Sequence, residues 1–443
     1  MAARAATVTS QLVRGEIRAR SHSLRELVHA AGGPALVLAT MLDAAGTGLI
    51  APLTILYFVV GVRLPVGLVG TGMTIGGAIA LMAAPLGGHF VDRAGSRRAL
   101  LVGWSAAGIA VAGYALVRSW PELIVAVSAL GIATSVGGTA RSTLLSALVA
   151  PGDIARVMAL VRAFRNVGYG VGGLLATAAL AAGHQGFLFA IYGDAASFLL
   201  GAALVLAAGR RLRSVSGDSA QPGRAPKGLG GSRGRPVTLR TVLTDRRFVT
   251  LGLLDGLTSF HQVALQVALP LWVVLFTHAP RELVGLLYTL NTALVVLAQV
   301  RVARGVRVLA QAPRALLYTA IAMAGAGAAF LGAHYAGAVA ATVLLVAGAT
   351  LMTAAEMLSS AANWIVTYAL ADPEHRGKYL SVYSMGAGLG RAAGPSVTAA
   401  LASAGALPLW PVIAAIVAAG ALPTAAIARA AQGAVSGSAA GEL

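Results

Sequence analysis

Residues 88–98 read GHFVDRAGSRR, a short basic turn between two long apolar runs at about 66–88 and 98–117. Runs of about 20 apolar residues are the length a helix needs to cross a bilayer. The pattern continues in both directions. Further runs occupy about 34–60, 122–148, 161–182 and 187–208, then 249–276, 282–303, 314–335, 338–369, 379–403 and 408–428. The composition agrees: 57% of the chain is hydrophobic and 11% charged, with a mean hydropathy of +0.79. A soluble domain carries about 25% charged residues, so lipid must be the solvent for most of this surface. In lipid each backbone N–H and C=O needs an internal partner, which leaves helices or a closed barrel. Barrel strands alternate over ~10 residues. These runs are longer and do not alternate, so they are helices. Runs four, seven and ten are longer than a span requires, which implies tilt or extension beyond the bilayer.

The formal charge is +18, nearly all of it Arg. Its distribution argues against a nucleic-acid partner, because the charges fall in short segments between apolar runs. Arg93, Arg97, Arg98, Arg210, Arg211, Arg213, Arg246, Arg247, Arg304, Arg307, Arg376 and Lys378 lie on one side of the expected membrane, and Arg63, Arg118 and Arg281 on the other. By the positive-inside rule the richer side is cytoplasmic, and both termini lie there. The Ala, Gly and Arg richness suggests a GC-rich bacterial genome, and the expected location is a bacterial plasma (inner) membrane. There is no cysteine, which excludes disulfides and thiolate chemistry. No nucleotide-binding motif and no catalytic constellation stand out, so an enzyme is not expected, nor are a cofactor or a metal.

Residues 209–247 include SGDSAQPGRAPKGLGGSRGRP, a flexible-linker composition that divides the chain six helices from six. The expected organisation is an N-terminal cytoplasmic segment 1–32, a six-helix bundle 33–208, the linker 209–247, a second bundle 248–430 and a tail 431–443. The bundles echo each other weakly. Ala51-Pro52-Leu53 parallels Leu269-Pro270-Leu271, Pro151…Arg156 parallels Pro373…Arg376, and glycine-rich stretches follow at Gly168–Gly173 and Gly386–Gly394. Parallel six-helix repeats with a site between them are a transporter signature.

The turn at 88–98 resembles the G-x-x-x-D-R-x-G-x-R-R loop of the major facilitator superfamily, through Gly88, Asp92, Arg93, Gly95, Arg97 and Arg98. Residues 356–395, with EMLSSAANW, DPEHRGKY and GLGRAAGP, look like helices ten and eleven of the drug:proton antiporters in that superfamily. Helix five departs from the antiporter pattern: RNVGYGVGG at 165–173 lacks the Gly-Pro pair. The resemblance implies an all-α membrane protein of twelve helices in two pseudo-symmetric bundles, with helices one, four, seven and ten lining a central cavity. It also gives Gly88, Asp92, Arg93, Gly95, Arg97 and Arg98 a gating role. Asp92 would meet the N-terminus of helix eleven near Tyr379 when the cytoplasmic side is shut.

Ionisable groups within spans are costly, and each is a candidate functional residue. Asp43 lies about ten residues into the first run, ~15 Å deep at 1.5 Å per residue. Glu356, Ser359, Ser360 and Asn363 are spaced to form one polar stripe on helix ten. Asp255 and His261 fall in helix seven, with His261 as far from Pro270 as Asp43 is from Pro52. Arg141 either neutralises Asp43, contacts an anionic substrate or snorkels to the interface. Asp43, Glu356, Asp255, His261, Arg141 and Asn363 are therefore the candidate proton- and substrate-binding set. Arg165 and Asp194 are expected to be structural, and Arg391 to pair with an acid. The expected function is proton-coupled export of a hydrophobic or cationic small molecule, such as a drug or antibiotic, by a monomer. Its partners are then the substrate, protons and the lipid bilayer. A metabolite importer or facilitator is the alternative, and a non-transporting receptor a third.

Overall fold

The structure is a computed structural model that describes residues 24–149, 153–208, 244–372 and 376–440. Among them all regular structure is helical. A short helix, Leu24–Ala30, precedes twelve helical segments, two of them interrupted. These are α1 (Pro34–Ile50, continued by Thr54–Leu56 and Tyr57–Gly61), α2 (Val66–Ala94), α3 (Ser96–Ala112), α4 (Trp120–Leu148), α5 (Ile154–Ala181) and α6 (His184–Ala207). The second set is α7 (Arg246–Thr258, continued through Phe260–Val263 and Ala264–Ala268 to Leu269–Phe276), α8 (Leu283–Gly305), α9 (Ala312–Tyr335), α10 (Ala338–Leu370), α11 (Arg376–Ser403) and α12 (Ala406–Ala440). Nine described helices are long and apolar enough to cross a membrane alone, and ten if the bent α1 counts as one span. The other two, α5 and α11, are the glycine-rich helices and carry Arg165 and Arg391.

Local chemistry sets the boundaries. Pro34, Pro121 and Pro313 sit in the first turns of α1, α4 and α9, where a missing N–H costs nothing. Glu122 Oε2 accepts from the N–H of Ser119 and closes a capping box at the start of α4. Asp245 Oδ1 accepts from the Phe248 N–H at 3.2 Å and caps α7. Gly95, at φ 80°, turns α2 into α3 where a side chain would be strained.

Three features go beyond the sequence reading. The first run is not one straight helix: it bends by 43° at Ala51–Leu53, because Pro52 cannot continue the hydrogen-bond ladder. α7 is likewise discontinuous. Its π-helical turn Ala264–Ala268 ends just before Pro270, whose ring would clash with the carbonyl four residues back. The last helix does not stop near 428 but runs to Ala440, through an Ala-rich sequence that favours helix. Of the expected N-terminal segment, linker and tail, residues 1–23, 209–243 and 441–443 lie outside the described residues, as do Pro151 and Pro373.

Packing repeats with a shift of six. α1 packs on α5 and α6, α2 on α4, and α3 on α4 and α6. α7 packs on α11 and α12, α8 on α10, and α9 on α10 and α12. The glycine-rich stretches explain the closest seams. A Cβ at Gly168 or Gly172 would strike the α1 backbone at Met41 or Ala45. A Cβ at Gly386 or Gly390 would strike the α7 backbone at Gly252 or Gly256. Small residues let helices approach this closely in lipid, where dispersion and not water exclusion drives association.

The halves meet along α2–α11, along α5–α8, and where the ends of α1 and α7 touch. These contacts favour the face that carries Arg63. There the Ser396 N–H donates to Thr74 Oγ1 at 3.0 Å, and Thr289 Oγ1 to the Gly170 carbonyl at 3.3 Å. Gly70 lies against Ala399 and Pro395, and Gly285 against Gly173 and Thr177. Towards the Arg93 face α2 separates from α11. Met82 and Leu86 are 79% and 71% exposed, and a Cβ at Gly88 would meet open space. Among the described residues the halves are in contact towards the Arg63 face and apart towards the Arg93 face.

Candidate functional site

Two polar bridges occupy equivalent places in the two halves. In the first, Arg141 Nη1 on α4 donates to Asp43 Oδ2 on α1 at 2.7 Å, with side chains 14% and 9% exposed. Arg165 on α5 lies near enough to add to the field at Asp43, and its Nη2 donates to the Tyr169 hydroxyl at 2.6 Å. In the second, Asn363 Nδ2 on α10 donates to Asp255 Oδ1 on α7 at 2.8 Å. The Tyr383 hydroxyl of α11 bonds Asp255 as well. Thus α1–α4 carries an ion pair where α7–α10 carries a carboxylate–amide pair.

The second bridge has spare acceptors. Asn363 Oδ1 is buried without a donor, because its amide nitrogen serves Asp255. His261 is 3% exposed, and its Nδ1 lies 2.8 Å from the Thr258 carbonyl. A carbonyl only accepts, so Nδ1 carries a hydrogen, and a ring with no second proton would present a lone pair on Nε2. That Nε2 is buried without a partner. His261 sits between the break at Ser259 and the π-helical turn of α7, and it is near enough to act on the charge of Asp255. Arg391 acts on that charge too, but among the described residues it makes no ion pair with an acid.

Glu356 does not join this group. Its Oε2 accepts from Asn291 Nδ2 on α8 at 2.8 Å, and Asn291 also donates to Thr353 Oγ1 at 3.0 Å. The polar stripe expected on α10 therefore splits: Glu356 turns to α8, Asn363 to α7, Ser359 is buried and Ser360 is exposed. Asn291 and Tyr383 were not read from the sequence. Asn291 had a signal, an amide inside an apolar run. Tyr383 had none, since a tyrosine in a span is ordinary. No cluster that could hold a metal ion occurs among the described residues.

The turn after α2 is disengaged. Asp92 is exposed and makes no hydrogen bond or ion pair among the described residues. Tyr379, at the start of α11, packs on Phe248 at 4.7 Å between ring centroids and bonds Asp245 instead. Arg97 Nη2 reaches the Leu206 carbonyl at the end of α6, at 3.3 Å.

Residues 36–369 match the Major Facilitator Superfamily. The chain belongs to that superfamily. As a major facilitator it is a secondary transporter and not an enzyme. Solved structures share the fold. A POT family transporter in complex with a thioalcohol-conjugated peptide has a TM-score of 0.71 at 15% identity, covering 89% of this chain and 94% of its own. The nucleoside transporter NupG has a TM-score of 0.68 at 15% identity, covering 90% and 98%. A bacterial homologue of the iron transporter ferroportin, in an inward-facing state, has a TM-score of 0.64 at 18% identity, covering 93% and 98%. No curated protein matches the sequence.

Proposed function

We propose that this major facilitator is a proton-coupled antiporter that exports hydrophobic cations across a bacterial plasma membrane. The observation that supports this reading is the surplus of buried acceptors around Asp255. Asn363 Oδ1 and His261 Nε2 both lack donors, and both lie close to a carboxyl. Buried polar atoms left unpaired cost ~1–3 kcal/mol each, so a ligand that brings N–H donors or positive charge is favoured there. A substrate ammonium or a proton meets that need equally. One group that binds either, but not both, is the requirement for exchange. The surroundings, which include buried Phe260, Val263 and Leu265, suit an apolar body beside the charge. α7 is interrupted beside this site, and transporter ion sites are built at discontinuous helices.

The arginine bias gives the Arg93 face to the cytoplasm. With that sidedness the site is open to the cytoplasm, the state from which an exporter loads. Both termini are then cytoplasmic and the working unit is a monomer.

The test is reconstitution in liposomes with an imposed pH gradient. A lipophilic cation should move against the proton flux, and Asp255→Asn should lower that flux at least tenfold. Nucleoside or peptide flux with no cation flux would establish the importer or facilitator reading. Proton-independent cation flux would remove the coupling.

A further inference from the structure

Asp194, in the middle of α6, is a deeply buried carboxyl that the reading above leaves unused. It is 1% exposed. It lies against α1 at Gly46, where an added Cβ would strike both Asp194 Oδ1 and Ser197 Oγ. Gly46 follows Asp43 by three residues, ~4.5 Å along the helix at 1.5 Å per residue. Two acids therefore sit within one turn of α1, and Asp43 acts on the charge of Asp194.

Their partners differ. Asp43 holds Arg141 at 2.7 Å. Among the described residues no cation forms an ion pair with Asp194. Among the described residues its one neighbour in hydrogen-bond range is Ser197 Oγ at 3.4 Å, and that hydroxyl has a better acceptor in the Asp194 backbone carbonyl at 2.8 Å. The elements packed on α6 supply no substitute. α1 offers Asp43, itself an acid. The turn Tyr57–Gly61 offers Tyr57, whose hydroxyl donates to the Tyr114 carbonyl at 3.2 Å. The turn Gly113–Leu116 offers Tyr114, on which Asp194 acts through its charge. α3 brings Arg97 to the other end of α6, at Leu206. α5 brings Arg165, which is engaged with Tyr169 and acts on Asp43.

An unpaired charge in such a place costs several kcal/mol, and a carboxyl avoids that cost by taking up a proton. We propose that Asp194 is a proton-binding site, neutral in this state, whose proton lets Asp43 hold Arg141 without a second negative charge beside it. The step is simple in balance: one proton from water adds to one carboxylate oxygen, and no other bond changes. The position of this site behind α1, away from the bridge to α4, separates the carboxyl that stores a proton from the carboxyl that holds a guanidinium. Release of the proton would place two negative charges against one Arg141, and would loosen the seam between α1 and α6.

The test needs no substrate, so it stands apart from the transport reading. Infrared spectra of the purified full chain in lipid should show, at neutral pH, a carbonyl band of a buried protonated carboxyl that shifts in heavy water. Asp194→Asn should remove one carboxyl's share of that band, while Asp43→Asn should leave it. Ser197→Ala, which keeps the carboxyl and removes its nearest hydroxyl, should shift the same component; it serves if Asp194→Asn does not fold. A band undiminished in Asp194→Asn, or unmoved in Ser197→Ala, overturns the proposal.

Discussion

Arg141 on α4 and Asp43 on α1 form an ion pair at 2.7 Å across 98 positions of sequence. It is the membrane-buried ion pair among the described residues, and it ties together the two helices whose second-half counterparts, α7 and α10, are tied by Asp255 and Asn363. Removing one partner leaves the other charge without compensation. Arg141→Met should destabilise the protein by up to ~3–5 kcal/mol. Adding Asp43→Asn should recover most of that loss. Thermal unfolding in detergent, followed by tryptophan fluorescence, checks both variants. Equal stability of the single and double variants would mean the pair contributes through something other than charge.

Glu356 is held by Asn291 from α8, so it is placed to report on the α8–α10 seam as well as on protons. Glu356→Gln keeps an oxygen that can accept from Asn291, and the fold should survive. Proton-driven export of a cation should fall less than in Asp255→Asn, which removes the carboxyl of the proposed site. A loss equal to that of Asp255→Asn would make Glu356 a second coupling group.

Asp92 is exposed and makes no hydrogen bond or ion pair among the described residues. When the Arg93 face shuts, the Asp92 carboxylate is expected to meet the N-terminus of α11, an interaction of ~0.3–2 kcal/mol. Asp92→Asn should therefore shift the population towards the state seen here, by up to about 30-fold at the upper end of that range. Turnover should fall more than affinity. The chain has no cysteine, so spin labels at Ser146→Cys on α4 and Ala369→Cys on α10 give a clean distance. An unchanged distance distribution in Asp92→Asn would reduce the turn to a topology signal.

The seams at Gly172 and Gly386 test the repeat. Each glycine lies on the backbone of the partner helix, Gly172 on Ala45 of α1 and Gly386 on Gly252 of α7. Neither partner atom can move as a side chain would. Gly172→Ala and Gly386→Ala should each cost ~1–3 kcal/mol by overpacking. Gly88→Ala, whose Cβ meets nothing in this state, should not destabilise the protein. Unfolding temperatures of the three variants settle the comparison.

The sequence by itself determined that the chain lies in lipid, that it is helical, where most of its spans begin and end to within a few residues, and through 88–98 which superfamily it resembles. These follow from local quantities: apolar length, the demand that each peptide group be satisfied, and turn chemistry at Gly95. It also marked the rare charges, because a charge in a span is conspicuous against 57% hydrophobic residues. Only the tertiary structure decided their partners. That Arg141 meets Asp43, that Asn363 turns to Asp255 while Glu356 turns to Asn291, and that Asp194 meets no cation among the described residues all depend on how helices far apart in sequence rotate against each other. Helical spacing places residues on a face of one helix, but the neighbour that the face meets is set by packing, here by glycines that bring α5 onto α1 and α11 onto α7. The breaks in α1 and α7 belong to both. Pro52 and Pro270 were visible in the sequence, yet the bend of 43° and the π-helical turn beside His261 arise only when the displaced backbone finds room among its neighbours.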